Sequence, residues 1–465
     1  MKKCNGGDGE NKNRWVNRQN LRILGVGDEM MNGIWQDIDL PEFPVLEGAV
    51  RTDVLIIGGG MAGILCALEL KRAGVDCILV EADRIARGTT GGTTAKITVQ
   101  HGLFCADMVQ RRGEQLTRQY LEANRAALER WRQLGEEIPC GFETRDSYVY
   151  SMEDGKKLER ELNAMDRIGF PGEYRRRTEL PFITAGAIRV SHQAQFHPLR
   201  FLRGVLPQLR IYERTAVQRI EGTTALTQRG RIHAEKIIVA THFPMLNRYG
   251  AYFLKLYQSR SYVLALEDVP KVDGMYVDEA EAGLSFRSCG NRLLLGGGSH
   301  RTGKDGGGWA ELKAFCRVHY PESRIVSQWA AQDCMSLDGI PYIGRYSPRT
   351  PRLFVATGFN KWGMTSSMAA AMLLKDLVQE RENPWEDVFS PQRTILRKQL
   401  WVNAGEAAGN LLRLSTPRCP HLGCALRWNP KEHTWDCPCH GSRFTKEGRL
   451  LENPASKNIE KGLPE

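Results

Sequence analysis

The sequence has no apolar run approaching the roughly 18–20 residues needed to cross a bilayer. The nearest candidate, Met364 to Val378, is short and carries Lys375 and Asp376, so it reads as a buried helix. It has no secretory h-region, since Met1 to Asn20 is polar and charged. Nor does it have a low-complexity tract or a 20–50-residue repeat, which removes solenoids and propellers. Lysine and arginine exceed aspartate and glutamate by ten, yet no basic stretch is interleaved with aromatics; the longest cluster is Arg175-Arg176-Arg177. Nucleic-acid binding is therefore not expected, and the excess fits solvation or steering of an acidic ligand or redox partner. A cytoplasmic protein without a transmembrane segment is the expectation. Residues 1–29 hold few apolar anchors and read as a disordered extension, with patterned sequence starting near Met31.

What is present is organised. At 465 residues the chain can bury more than one core. The continuous apolar run Asp53-Val54-Leu55-Ile56-Ile57 predicts a buried parallel strand. It leads into Gly58-Gly59-Gly60-Met61-Ala62-Gly63, then a helix stopped by Gly74, then a second strand Cys77-Ile78-Leu79-Val80 ending in Glu81. Strand, glycine loop, helix, strand and acid in this order form a dinucleotide fingerprint. Gly58 permits the tight turn, Gly60 lets backbone approach a pyrophosphate, and Gly63 lets helix and strand pack closely. Free N–H groups and the dipole of the helix, including its start at Met61 and Ala62, favour phosphate. Glu81 would accept from ribose hydroxyls and repel a 2′-phosphate. The segment Arg87 to Lys96, with Thr89, Thr90 and Thr94, is dense in glycine and hydroxyls and reads as a second phosphate cradle.

Twelve cysteines are present, and four crowd into residues 419–439. Cys419-Pro420-His421 and Cys437-Pro438-Cys439-His440 offer a thiolate and an imidazole each, fifteen residues apart. Such a set suits a [2Fe–2S] cluster with two thiolates on one iron and two imidazoles on the other. A Cys2His2 zinc site is the rival, since both ligand types suit zinc; zinc fingers, however, pair Cys with Cys and His with His. The remaining eight cysteines are scattered and read as buried or free thiols.

On these motifs the chain resembles the D-amino-acid oxidase superfamily of FAD-dependent oxidoreductases. The run Glu81 to Gln100 is similar to that family's FAD-diphosphate loop. The segments Ala216–Ile220, Ala225–Gln228 and Lys236–His242 are similar to the meander that returns the chain to the FAD domain, and this places Val217 at the cofactor. Ser336–Gly344 and Phe354–Thr365 are similar to its last FAD contact, which implies roles for Gly358, Gly363, Met364 and Thr365. The C-terminal motif resembles Rieske proteins, and that likeness implies cluster ligands Cys419, His421, Cys437 and His440 and a loop-bridging disulfide between Cys424 and Cys439.

The implied architecture is α/β. A Rossmann-type FAD domain (about 50–110, 205–245 and 335–380) carries an inserted β-rich substrate domain (about 140–200 and 246–334). Together they span residues 30–397. A small all-β Rieske-like iron–sulfur module occupies 398–465, with a reduced base, because only Ala404 to Pro417 precedes its first ligand loop. Helical periodicity at Gln115–Leu134 fits a bracing helix. The resemblance implies a dehydrogenase-type enzyme oxidising a small amine, amino acid or hydroxy acid, with electrons exchanged between FAD and the [2Fe–2S] cluster. The alternative is a non-catalytic electron relay or redox sensor. Arg287 is the candidate for holding a substrate carboxylate, with His300 and Tyr262 as further pocket residues. An acidic partner of ferredoxin or flavodoxin type would exchange electrons with the cluster.

Overall fold

The computed structural model describes residues 33–246, 249–394, 396–413, 417–460 and 463; the expected extension 1–29 lies outside them. Three sheets organise the chain. The first has eight strands, and its spine runs Tyr342–Arg345, Leu353–Thr357, Gly230–Val239, Gly48–Ile57, Cys77–Val80, Ile211–Tyr212. All neighbours along it are parallel except the first pair. The central strand is longer than its apolar run: Val54 to Ile57 are buried, whereas Gly48, Ala49 and Arg51 are exposed. Its inner half is covered by the helices Met61–Arg72 and Gly363–Val378, both apolar nearly all round because each lies inside the molecule. The expected meander is present as Arg219–Glu221 and Thr224–Leu226, which pair antiparallel before Gly230–Val239.

The second sheet has nine strands drawn from Lys96–Ile97, Glu143–Gln195 and Leu256–Ser336. It is antiparallel apart from the contact between Met275–Asp278 and Glu143–Ser151. It curls on itself. Gln195 Nε2 donates to Ser288 O at 3.0 Å and Arg287 Nη2 to Phe196 O at 3.3 Å, although their strands are three places apart in the sheet order. Lys96–Ile97, at one edge, comes directly from the glycine–threonine segment, so the two sheets meet there.

The bracing helix is longer than its periodicity indicates, Cys105–Glu137, with a break at Gly113 (φ 82°). Its extra first turns are capped from a distant helix: Glu161 accepts from the N–H groups of Cys105 (2.6 Å) and Ala106 (2.8 Å). That cap leaves no local sequence signal.

The third sheet is a small antiparallel meander of Arg427–Asn429, Thr434–Asp436, Arg443–Thr445 and Leu450–Glu452. The helix Lys398–Leu412 precedes it. The region before the first ligand loop is thus a helix rather than further hairpins. It is tied to that loop by Ala425 N–H donating to Asn410 O at 3.0 Å.

Candidate functional site

The glycine loop behaves as its residue types require. Gly58 has φ 116°, and a Cβ there would lie 2.4 Å from Ala240 O. A Cβ on Gly63 would lie 1.9 Å from Gly58 O, so this position sets how closely helix and strand approach. Gly60 differs: its Cβ would meet only Thr90 Oγ1, at 3.5 Å. The side of the loop facing the helix start is therefore open. At the other helix, a Cβ on Gly363 would meet nothing within 4 Å. Two helix N-termini, each with N–H groups lacking intrahelical partners, thus open onto free space at the same edge of the parallel sheet. A diphosphate and a flavin ring fit such a cradle.

Glu81 accepts from Gly59 N–H at 2.6 Å and Asp83 N–H at 2.9 Å, which ties the loop to the end of the second strand. Burial pushes its carboxyl up despite those two bonds. Thr90 accepts from Met61 N–H at 3.0 Å, and Thr89 donates to Gln332 O at 2.8 Å. Trp35 and Trp329 donate from Nε1 to Thr93 O and Gly92 O, both at 2.8 Å. The segment is thereby clamped to the curled sheet. Thr365 exchanges hydrogen bonds with the backbone of Thr98 (2.9 and 3.0 Å), and Met364 O accepts from Trp131 Nε1 at 3.0 Å. Gly358, φ 71°, lies in the turn before the second helix. Val217 packs against the core of the parallel sheet.

Arg287 is buried and directs its guanidinium at protein carbonyls. Nη1 donates to Thr94 O, Nη2 to Phe196 O, and the group lies 5.6 Å above the Trp35 ring. Lys96 bonds to Thr94 Oγ1 at 3.3 Å; desolvation and the Arg287 charge hold its ammonium down to about 7. Tyr262 and His300 stack at 5.8 Å with Tyr262 Oη 3.1 Å from His300 Nε2, and the same Oη donates to Glu432 at 3.1 Å. The structure therefore places these two residues against the C-terminal module.

The cysteine–histidine centre is built from two loops of identical closure. Cys419 N–H donates to Cys424 O (2.9 Å) and Gly423 N–H to Cys419 O (2.9 Å). Likewise, Cys437 N–H donates to Ser442 O and Gly441 N–H to Cys437 O, each at 2.8 Å. Gly423 and Gly441 have φ 80° and 82°, a conformation that glycine adopts without penalty. The loops bring the rings of His421 and His440 to 5.0 Å and nearly perpendicular. Cys419, Cys437 and His440 are all buried, and hydrogen bonds with the thiols of Cys419, Cys424 and Cys439 hold Cys437 well below the usual thiol range. His440 Nδ1 is a buried nitrogen with no hydrogen-bond partner, while its Nε2 is 2.9 Å from Phe253 O. Crowded sulfurs beside an orphaned imidazole nitrogen are what a thiolate–imidazole metal centre needs.

One expectation is corrected. Cys424 and Cys439 are free thiols, not a disulfide. Their sulfurs and that of Cys437 form a three-way group within 4.8 Å of one another, whereas a disulfide needs a dedicated pair at about 2.05 Å.

Sequence reasoning missed the interface that fixes this centre. Arg260, 4% exposed, bonds Glu432 (Nε to Oε1, 2.9 Å) and Glu452 (2.9 Å). Arg443 reaches the same Glu432 (2.8 Å) and Asp436 (3.0 Å). Gln258 Nε2 donates to His440 O (2.8 Å), Gln332 Nε2 to Gly441 O (2.9 Å), and Arg301 to Pro438 O and Cys439 O. The signal available was the unusual polarity of Gln258, Arg260 and Gln332 on strands otherwise facing a core.

Comparison with known proteins accords with this geometry. The family described as FAD dependent oxidoreductase matches residues 53–377. The chain belongs to that family. A Rieske [2Fe-2S] domain matches residues 377–462. Its cofactors are accordingly FAD and a [2Fe–2S] cluster. A protein of Bacillus subtilis (strain 168) named for a Rieske 2Fe-2S iron-sulfur protein, YhfW, is 35% identical over 90% of this chain and 95% of its own. Gamma-glutamylputrescine oxidoreductase of Escherichia coli (strain K12) is 23% identical over 72% of this chain and 86% of its own. Among solved structures, glycine oxidase from Geobacillus kaustophilus shares the fold with TM-score 0.63 and 22% identity, covering 74% of this chain and all of that one. The chain is thus an FAD-dependent oxidoreductase with a Rieske domain. Among the described residues no helix is long and apolar enough to cross a membrane.

Proposed function

We propose that this FAD-dependent oxidoreductase is of dehydrogenase type: it oxidises a small amine, amino acid or hydroxy acid, and its electrons pass between the flavin and the Rieske cluster of the same chain. The observation that carries the reading is where the imidazole side of the cluster site sits. The Phe243 ring lies 6.1 Å from His421 and 5.9 Å from His440, and Phe243 follows immediately on the strand Gly230–Val239 and Thr241-His242. Asn453, from the C-terminal module, donates to Thr241 O at 2.6 Å. The cluster side of the module thus packs on the end of the strand that runs beside the glycine loop. A buried ionic network keeps it there.

When bound, FAD would accept a hydride from the C–H bond of the carbon that bears the amine or hydroxyl, the N–H or O–H proton leaving separately, and the cluster would supply one-electron transfer. In this reading Gly58, Gly60, Met61, Ala62 and Gly63 receive the diphosphate and Glu81 the ribose. Thr89, Thr90, Thr94 and Val217 complete that half, and Gly358, Gly363, Met364 and Thr365 receive the flavin's pyrimidine end. Cys419, Cys437, His421 and His440 hold the cluster. Arg287 acts by positioning the Thr94 turn beside the flavin. Tyr262 and His300 act through Glu432 on the cluster module rather than on substrate. The net positive charge favours an acidic redox partner of ferredoxin or flavodoxin type, in the cytoplasm.

The test is anaerobic. The purified protein is mixed with amines, amino acids and 2-hydroxy acids while flavin absorbance and the EPR signal of the cluster are followed together. Flavin bleaching followed by appearance of the reduced-cluster signal is the expected result. A flavin that bleaches while the cluster stays oxidised overturns the intramolecular exchange.

A further inference from the structure

A cavity of about 570 Å³ opens beside the short helix Tyr252–Lys255. Its walls come from three segments far apart in sequence. They are residues 249–251 with Lys255, the turn 346–349 after the strand Tyr342–Arg345, and residues 391–394 with Leu396, on the run entering the helix Lys398–Leu412. None of the residues assigned to the flavin or the cluster lines it. Lys255, Arg349 and Arg393 do, and among the described residues no aspartate or glutamate does. Arg393 is already neutralised. It pairs with Asp338 at 2.8 Å and gives Nη1 to the carbonyls of Pro341 and Ser390, both at 3.1 Å. Arg349 is exposed and makes no ion pair among the described residues.

Lys255 is the group left incomplete. It is 7% exposed, and its Nζ donates to Pro391 O at 2.7 Å, its one hydrogen-bond acceptor among the described residues. An ammonium has three N–H donors to place. The rings of Tyr252 and Tyr342 lie 5.1 and 5.6 Å from Nζ, which favours a cation there without neutralising it. Desolvation, and then the charge of Arg393, bring the ammonium down to about 8. The charge acting on Lys255 is thus a second cation, where a buried ammonium calls for an anion. Ser347 and Thr394 add hydroxyls to the cavity wall, and Pro348 and Leu396 add apolar surface. An occupant with a charged end and a small apolar body fits that lining. The residues before Lys255 meanwhile serve the C-terminal module: Leu254 O accepts from Asn403 Nδ2 at 3.2 Å, and Phe253 O lies 2.9 Å from His440 Nε2.

We propose that this cavity is a binding site, separate from those of the flavin and the cluster, for a small organic anion bearing a phosphate or carboxylate group. Lys255 is its buried counter-charge and Arg349 its exposed one. No flavin segment lines the cavity, so the occupant is not the substrate oxidised at the flavin.

The experiment is a calorimetric titration of the FAD-loaded protein at constant ionic strength, with the flavin absorbance band followed in parallel. The probes are phenyl phosphate, succinate and, as the neutral control, phenol. Wild type is expected to bind phenyl phosphate or succinate at one site with a Kd roughly tenfold or more below that for phenol, the flavin band unmoved. Which of the two anions binds tells a phosphate ester from a carboxylate. Lys255→Met should weaken that anion by roughly tenfold or more. Without ligand, the same variant should keep or raise the midpoint of thermal unfolding, because it removes a buried charge that lacks a counter-charge. Arg349→Gln, at an exposed residue, should weaken the anion by a smaller factor. Anions that bind no better than phenol, or that bind only with a shifted flavin band, overturn the proposal, as does a folded Lys255→Met protein with unchanged anion affinity. If Lys255→Met fails to fold, Arg349→Gln decides: a loss of anion affinity supports the site, and no loss overturns it.

Discussion

Arg260, on the curled nine-stranded sheet, and Glu432, in the hairpin loop of the Rieske module, form a buried ion pair with Nε and Oε1 2.9 Å apart. Both side chains are under a tenth exposed, and Arg443 and Tyr262 complete the hydrogen bonding of the same carboxylate. Breaking one partner of a satisfied buried pair leaves an uncompensated charge and costs roughly 3–5 kcal/mol. Arg260→Met should therefore loosen the module and lower the midpoint of thermal unfolding. It should also speed proteolytic cleavage near the helix Lys398–Leu412 while the flavin stays bound. Retention of wild-type protease resistance would show that Gln258, Gln332 and Arg301 suffice to hold the module.

The glycine loop offers two substitutions with opposite failure modes. At Gly60 a side chain meets only Thr90 Oγ1 at 3.5 Å, so Gly60→Val should fold but lose FAD, because the added methyls fill the approach to the diphosphate. At Gly63 the Cβ would collide with Gly58 O at 1.9 Å, so Gly63→Val should fail to fold stably. Absorbance at the flavin band together with circular dichroism separates the two outcomes.

The parts legible in sequence were those in which local chemistry dictates structure. The run Asp53–Ile57 and the loop Gly58–Gly63 declared a parallel strand and a phosphate turn. Cys419-x-His421 and Cys437-x-x-His440 declared two ligand loops, because each needs a thiolate, an imidazole and a glycine within a few residues. Contacts between segments far apart in sequence were not legible. Glu432 reads as a solvated loop acid until Arg260, 172 residues away, is seen beside it. Tyr262 and His300 read as pocket residues because nothing local says which face of a strand a later module will cover. The Cys424–Cys439 bridge came from likeness alone, and the structure places three sulfurs together instead of a bonded pair.

Acid should weaken the module's attachment through Glu432. The charges of Arg260 and Arg443 and their hydrogen bonds overcome burial and lower this carboxyl to about 2. A carboxyl whose folded value lies below its unfolded value, near 4.5, contributes stability that is present above 4.5 and lost as pH falls toward 2. The contribution is on the order of 3 kcal/mol. In unfolding experiments between pH 5 and pH 2.5, wild type should lose stability more steeply than Glu432→Gln, which has already forfeited this term. Parallel slopes for the two proteins would show that other carboxylates govern acid unfolding.

The final prediction concerns the metal centre itself. His421 and His440 face each other at 5.0 Å, and each belongs to a loop that also carries a cysteine proposed as a ligand. If His421 and His440 hold one iron and Cys419 and Cys437 the other, as proposed, the cluster would bear less negative charge than one held by four thiolates and would be reduced more readily. His421→Ala removes one imidazole from a loop whose turn is set by Cys419, Gly423 and Cys424 backbone bonds, so the fold of the loop should survive. The EPR signal of the reduced wild-type protein should vanish in this variant while flavin absorbance remains, because His421 contributes nothing to the glycine loop. Cys424→Ser should keep the signal, since Cys424 is a free thiol beside the ligands; its loss there would place Cys424 among the residues the cluster requires. Stoichiometric zinc and no EPR signal after reduction of wild type would make the module a structural clip, and the flavin's electrons would then have to leave by another route.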